Sequence, residues 1–393
     1  MRRILIAQLP ADFADWLDVV AIGALLTFTW SADPIVFAFL AVALGLPYVI
    51  VGPFAGVLID QSSLKTVLIF SNLGRAIMTA SLALAPNWQI LLILVFIRSA
   101  VDAFFTPAKQ SAIQATTTPN ERMVANGFSH AINQTSKIVA PALGGALLIV
   151  FAPSQVFLLN AVVSLVTVSI LIGLKPIIRQ GIEITDTGSL FAGLRDGWQE
   201  ISGKPLLRGA LILMAGGYFG MFFYDTLIAP LTRDLGFDQT DLGLALSAVG
   251  AGGVIGAIYF GMSVTTRRPF GLVSLASAIA GVLVTGLGIS EMLKTEVLFP
   301  IFLIVFFFLG LTSAMSVVPI RTIIQTETRQ DHMARVTALS EAANTTALLT
   351  APFLGAIIAS WLSIGAAFVT GGLLLTLVGL YAASLQWRTG KFG

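Results

Sequence analysis

Two stretches of the chain are near copies of one another, displaced by about 211 residues. The first runs from Thr106-Pro107-Ala108-Lys109 to Ala140-Pro141-Ala142-Leu143-Gly144-Gly145. The second runs from Val318-Pro319-Ile320-Arg321 to Ala351-Pro352-Phe353-Leu354-Gly355-Ala356. Between these ends Gln114 matches Gln325, Asn133 matches Asn344, Pro141 matches Pro352 and Gly144 matches Gly355. A duplication on this scale restricts the fold to two related halves in tandem. When both halves are apolar, the pattern is that of secondary transporters built from parallel repeats.

Both halves belong in a bilayer. The chain is 56% hydrophobic and 11% charged, with a mean hydropathy of +0.91, whereas a soluble domain carries about 25% charged residues. Apolar runs of ~20 residues, bounded by charges or by Pro, Gly and Asn clusters, predict an all-α integral membrane protein with twelve transmembrane helices. These fall at residues 4–30, 35–59, 66–85, 88–106, 122–150, 154–174, 206–231, 239–262, 269–290, 297–318, 333–359 and 363–386. Met1-Arg2-Arg3 leads into a run too long and too rich in Asp for a cleaved signal peptide, and is expected to be the first span. The expected organisation is a six-helix half over 1–174, a cytoplasmic linker over 175–205 and a second six-helix half over 206–393. With no cysteine in the chain, disulfides and thiolate metal sites are excluded.

Basic residues set the orientation. With the termini inside, most of the 22 Lys and Arg residues fall in cytoplasmic segments, Lys109 and Arg321 among them, and the outer loops hold only Arg233 and Lys294. This predicts cytoplasmic termini. The same bias accounts for the net charge of +2 and pI ≈ 9.0, so no nucleic-acid partner is implied. In the linker, Leu190, Leu194, Trp198 and Ile201 recur at helical spacing beside Arg195, Asp196 and Glu200, which suggests a helix on the inner membrane surface.

Three motifs carry a family resemblance over nearly the whole chain. Gly56-Val57-Leu58-Ile59-Asp60 followed by Lys65 resembles the major facilitator superfamily's loop motif Gly-x-x-x-Asp-Arg-x-x-Arg-Arg, with Gln61 and Leu64 standing where basic residues are usual. Arg98 is placed like that superfamily's span-4 Arg, although Asp102 stands where Gly is usual. Ser136-x-x-x-Ala140-Pro141-x-x-Gly144-Gly145 resembles a relaxed antiporter motif. Asp15-Trp16-Leu17-Asp18, Phe105-Thr106-Pro107-Ala108-Lys109-Gln110 and the in-membrane Arg75 and Lys137 are similar to a bacterial branch that includes macrolide efflux proteins and the enterobactin exporter. The resemblance implies two halves that rock about a central site lined by spans 1, 4, 5, 7, 10 and 11, in a bacterial cytoplasmic (inner) membrane.

The motifs divide the work. Asp60 and Lys65 flank a tight inner loop in which Gly56 permits close helix approach, so they can latch the cytoplasmic side shut, or Asp60 can simply cap a helix. Pro141 with Gly144 and Gly145, and Pro352 with Gly355 in the repeat, remove a backbone hydrogen bond and then side-chain bulk, giving bends where another helix packs.

Charges inside spans are the sharper signal, because each costs ~2.5–3.5 kcal/mol unless it meets a cavity or a partner. The candidates are Asp12, Asp15, Asp18, Arg75, Arg98, Asp102, His130, Lys137, Asp225 and Glu341. Asp12, Asp15 and Asp18 share one face of span 1 at i, i+3, i+6, with Asp15 ~16 Å along the helix and near mid-membrane. They can bind protons, attract a cation or neutralise Arg75 and Lys137; Asp12, nearer the inner side, is expected to be solvated. Arg98 and Asp102, four apart, can pair on one face of span 4. His130 and Glu341 occupy matching repeat positions, suiting a coupling pair. Asp225 neighbours Tyr218, Phe222, Phe223 and Tyr224, a cluster able to contact an amphiphile or merely to pack.

No Gly-x-Ser-x-Gly elbow, Gly-x-x-x-x-Gly-Lys-Ser loop or His-Glu-x-x-His pair occurs, so enzyme chemistry and ATP-driven pumping find no support. The reading is a monomeric secondary transporter exporting an amphiphilic small molecule, with the proton gradient as energy source and no cofactor. The alternatives are a lysolipid flippase, a divalent-metal exporter using Asp15, Asp18, His130 and Glu341, and a receptor without flux.

Overall fold

The computed structural model describes residues 2–117, 119–175, 177, 199–263, 269–328 and 333–389, and within its helices it leaves out some side chains. Every regular element among these residues is helical, so the all-α expectation holds. The elements are α1 (Arg2–Ala24), α2 (Pro34–Gln61), α3 (Leu64–Leu82), α4 (Trp88–Asp102), α5 (Phe105–Ala115), α6 (Pro119–Val150) and α7 (Pro153–Ile172). They continue with α8 (Pro205–Asp225), α9 (Ile228–Asp234), α10 (Gln239–Ser263), α11 (Pro269–Met292), α12 (Phe299–Glu327), α13 (Met333–Trp361) and α14 (Ile364–Thr389).

Nine spans among the described residues are long and apolar enough to cross a bilayer on composition alone; α4 and α5 count as one of them. α1 and α3 fall short because they carry the buried charges, and in α6 only Thr135–Val150 is apolar. Adding these three gives the twelve crossings that the sequence predicts. Proline sets several starts: Pro34, Pro153 and Pro205 stand in the first turn of their helices, where the missing N–H has no intrahelical partner to lose.

The repeated prolines behave differently. Pro107 sits in the first turn of α5, just after a break at Ala103 and Phe104, whereas Pro319 is absorbed inside the unbroken α12. Pro141 and Pro352 both lie inside continuous helices. The glycines beside them serve close packing. A Cβ at Gly144 would meet the Leu17 side chain of α1 at 3.0 Å, and one at Gly355 would collide with the Phe223 carbonyl of α8.

Contacts divide the chain into two compact units. One comprises Met1–Ile182 with Gly236–Ser247, the other Glu183–Leu235 with Ala248–Gly393. The start of α10 groups with the first unit because its glycine meets α6 backbone to backbone. A Cβ on Gly243 would stand 2.5 Å from the Pro141 carbonyl oxygen and 2.7 Å from the Gly145 Cα, and Gln239 donates to the Leu148 carbonyl at 2.5 Å.

Candidate functional site

Three helices of the N-terminal unit deliver charged side chains to one buried cluster. α1 presents Asp15 and Asp18, α3 presents Arg75, and α4 presents Arg98 and Asp102. Arg75, 1% exposed, ion-pairs with Asp15, lies 3.1 Å from Asp102 Oδ1 through Nη1 and donates to the Ala11 carbonyl at 3.1 Å. Arg98 Nη2 lies 2.8 Å from both Asp15 Oδ1 and Asp18 Oδ2, and its Nε donates to Thr79 Oγ1 at 3.2 Å. Thr79 donates onward to Asp18 Oδ2 at 3.2 Å, and Asn160 of α7 donates to Asp18 Oδ1 at 2.6 Å. Tyr48 of α2 donates to Asp102 Oδ2 at 2.5 Å. The Phe105 ring lies 5.6 Å from the Arg75 guanidinium carbon.

This geometry corrects the expected pair within α4. Among the described residues Asp102 is the counter-ion of Arg75, and Arg98 reaches across to α1. Two α1 carboxylates converge on the one Arg98 Nη2, and two opposite charges on a neighbouring helix hold the guanidinium more strongly than one on its own helix.

The three carboxylates differ in commitment. Both oxygens of Asp18 are engaged and its side chain is 2% exposed. Asp102 uses one oxygen for Arg75 and the other for Tyr48. Asp15 meets both arginines through Oδ1 alone, its Oδ2 has no partner among the described residues, and its side chain is 33% exposed. Three carboxylates therefore face two guanidiniums that do not deprotonate, and the most accessible of the three has a spare oxygen.

A second polar cluster adjoins the first. Gln8 donates to Asp12 at 2.7 Å and to the Ser129 carbonyl at 2.9 Å, Ser129 donates back to Gln8 at 2.7 Å, and Asn133 donates to Asp12 at 3.2 Å. Asp12 is buried, contrary to its expected solvation. Lys109, expected in an inner segment, is also buried, with Nζ 4.0 Å from Asp12 and 5.5 Å from the Phe105 ring centre. The break before Pro107 restarts the chain as α5, which brings Lys109 to face α1. Lys137 lies 5.4 Å from the Trp16 ring centre. Sequence reasoning missed Gln8, Tyr48, Thr79, Asn133 and Asn160 as site residues. All are neutral side chains whose roles come only from pairing across helices.

The remaining candidates lie apart from this cluster. Asp225, the last residue of α8, is exposed and makes no hydrogen bond or ion pair among the described residues. Its aromatic neighbours divide: Tyr218 stacks on Phe222 with centroids 5.8 Å apart, while Tyr224 turns inward against Phe368 at 5.0 Å. Lys65 opens α3, half-buried. Gly56, Asp60, His130 and Glu341, together with Leu190, Leu194 and Trp198 of the linker, lie outside the described side chains. No group of three or more His, Asp or Glu that could hold a metal ion occurs among the described residues, and Asp15 and Asp18 already face guanidiniums.

Helix α8 also lines a cavity of about 100 Å³ in the C-terminal unit, shared with α11, α12 and α14. Its wall is largely apolar and includes Leu213, Met214, Met221 and Val378, with Tyr218, Ser277, Ser313, Ser316 and Arg321 as polar points.

Comparison with known proteins places this architecture. The chain is 26% identical over 388 residues to YfiS, an uncharacterized MFS-type transporter of Bacillus subtilis (strain 168), covering 97% of this chain and 91% of that protein. It is 24% identical to macrolide efflux protein A of Streptococcus pyogenes, covering 85% of this chain and 83% of that protein. It is 26% identical to the enterobactin exporter EntS of Salmonella typhi, covering 82% and 78%. Among solved structures, a bacterial homolog of the human lysosomal transporter Spinster superposes with a TM-score of 0.72 at 13% identity over 99% of this chain and 96% of that one. A D-xylose–proton symporter does so at 0.73 and 13% over 97% and 96%. The Major Facilitator Superfamily profile matches residues 4–261 and, overlapping them, 211–391, and this multi-pass membrane protein belongs to that superfamily.

Proposed function

We propose that the protein exports an amphiphilic small molecule by alternating access of its two halves, driven by proton antiport, with Asp15 as the proton acceptor. The observation that carries this reading is the imbalance of three carboxylates against two guanidiniums in the buried cluster. An excess negative charge in a low-dielectric interior favours uptake of one proton. Asp15 suits that role because it is accessible and holds an unengaged oxygen, while Asp18 and Asp102 act as fixed counter-ions. Protonating Asp15 weakens its hold on Arg75 and Arg98, so α1, α3 and α4 bind one another differently in the two states. Coupling requires such a difference. The efflux proteins among the relatives support the outward direction.

The test uses proteoliposomes with an imposed pH gradient and a panel of amphiphilic drugs, siderophores, lysolipids and divalent metals. The expected result is collapse of the gradient with one amphiphile class, lost in Asp15→Asn. Transport of a lysolipid without a gradient, or collapse with a metal ion alone, would replace this reading with a flippase or a metal exporter. Collapse that survives Asp15→Asn would remove Asp15 from the mechanism.

A further inference from the structure

Polar side chains inside spans ordinarily bond back to their own helix. Thr312 donates to the Phe308 carbonyl at 2.9 Å, Thr376 to the Gly372 carbonyl at 2.9 Å and Thr322 to the Val318 carbonyl at 2.9 Å. The cavity of the C-terminal unit, whose wall includes Thr312, departs from that habit at four other hydroxyls. Tyr218, Ser277, Ser313 and Ser316 line it and make no hydrogen bond among the described residues. Arg321 lines the same cavity, exposed, with no ion pair among the described residues. Uncommitted donors converging on an apolar wall are the anatomy of a small-molecule site, because a ligand that satisfies them removes the cost of leaving them unpaired.

The charge narrows the ligand. Arg321 is the repeat mate of Lys109, but Lys109 is buried against Asp12 while Arg321 faces the cavity with no carboxylate in ion-pair reach among the described residues. At 1.5 Å per residue, Arg321 lies ~33 Å from the start of α12 at Phe299, near the edge of a ~30 Å core, with Ser316 and Ser313 about 7 and 12 Å deeper. A cavity of about 100 Å³ holds a short chain segment rather than a whole drug-sized molecule, whose pockets span ~300–1,000 Å³. We propose that this cavity binds an anionic amphiphile whose acid group pairs with Arg321 and whose apolar end lies along Met214 and Tyr218, past Ser313 and Ser316. The inference rests on the reading of the chain as an amphiphile exporter and narrows its substrate to acids.

The test is photolabelling in nanodiscs with a diazirine-bearing dodecanoate, with a diazirine-bearing dodecylamine as the matched cation and no pH gradient. Saturable labelling of α8 and α12 peptides by the acid is expected, competed by unlabelled dodecanoate. It should fall about tenfold in Arg321→Gln, the loss of one ~1.4 kcal/mol contact, and be largely kept in Arg321→Lys. A Ser313→Ala/Ser316→Ala pair, which leaves the charge in place, should lower it severalfold. Equal labelling by acid and amine, or labelling unchanged in both the Arg321→Gln and the paired serine variants, would overturn the site. Because no gradient is imposed, the two proposals fail separately. Arg321-dependent labelling without antiport leaves the site standing, and antiport with Arg321-independent labelling leaves only the coupling mechanism.

Discussion

In the N-terminal unit α4 carries Arg98 and Asp102, which reach α1 and α3 through ion pairs. Counted from the matched Pro107 and Pro319, the corresponding positions on α12 of the C-terminal unit are Gly310 and Ala314. There a Cβ on Gly310 would stand 2.9 Å from the Gly253 nitrogen of α10. The duplicated helices thus hold their neighbours by opposite means, long charged side chains in one unit and near-contact of backbones in the other. Backbone contact offers nothing that titrates. A buried ion-pair cluster is a poor source of stability, since desolvation offsets most of the attraction, but it can change with one proton. On the two proposals above, energy coupling would fall to the first unit and ligand binding to the second, with its apolar cavity and uncommitted hydroxyls.

The largest effect should follow from removing a cation from the cluster. Arg75→Met leaves Asp15 and Asp102 without their shared guanidinium, and breaking a buried pair from one side costs about 3–5 kcal/mol. Thermal unfolding in detergent should show a large drop, partly restored by adding Asp102→Asn; an Arg75→Met protein as stable as the parent would mean that the cluster is solvated. The matching test in the other unit is Gly310→Ala. Overpacking against backbone costs about 1–3 kcal/mol, whereas Gly217→Ala, where an added Cβ meets nothing within 4 Å, should be nearly silent. Equal melting of these two alanine variants would break the contrast from the C-terminal side.

Within the cluster the carboxylates should separate. Asp18→Asn places an amide where Arg98, Thr79 and Asn160 all donate, so donors meet a donor and the loss should be about 1–3 kcal/mol. Asp15→Asn removes the excess charge while its carbonyl oxygen still accepts from the arginines, and should melt within about 1 kcal/mol of the parent while losing proton coupling. If Asp15→Asn were the less stable of the two, the fixed counter-ion and the proton acceptor would have to exchange roles.

The fold was readable because lipid imposes few rules. Length, charge at the ends and proline at helix starts located the spans. The acidic stripe on α1 and the arginines were readable as candidates for the same reason, since a charge in a span has few explanations. Their pairing was not readable. Sequence spacing ranks partners on one helix, as Arg98 with Asp102, whereas the cluster is assembled across α1, α2, α3, α4 and α7. Tyr48, Thr79 and Asn160 are ordinary neutral residues until those helices meet. The burial of Lys109 was not readable either, because a basic charge after a broken span reads as a loop residue, whereas α5 sets it against Asp12.

The smallest effect sharpens the comparison most, because it sets two repeat-related cations side by side. Lys109→Gln removes the only cation recorded within ion-pair distance of the buried Asp12 among the described residues, although Gln8 and Asn133 still donate to that carboxylate. The loss should be about 1–2 kcal/mol, since two of the hydrogen bonds survive. Arg321→Gln removes an exposed guanidinium with no such partner among the described residues, and surface changes of this kind fall within about 0.5 kcal/mol. The melting difference between the two variants therefore measures commitment to the fold at matched positions. A clear gap, with Lys109→Gln the weaker protein, is expected if Arg321 is kept for something other than stability. Two equal losses would mean that Arg321 also holds the protein together, and its place in the cavity wall would then be architectural.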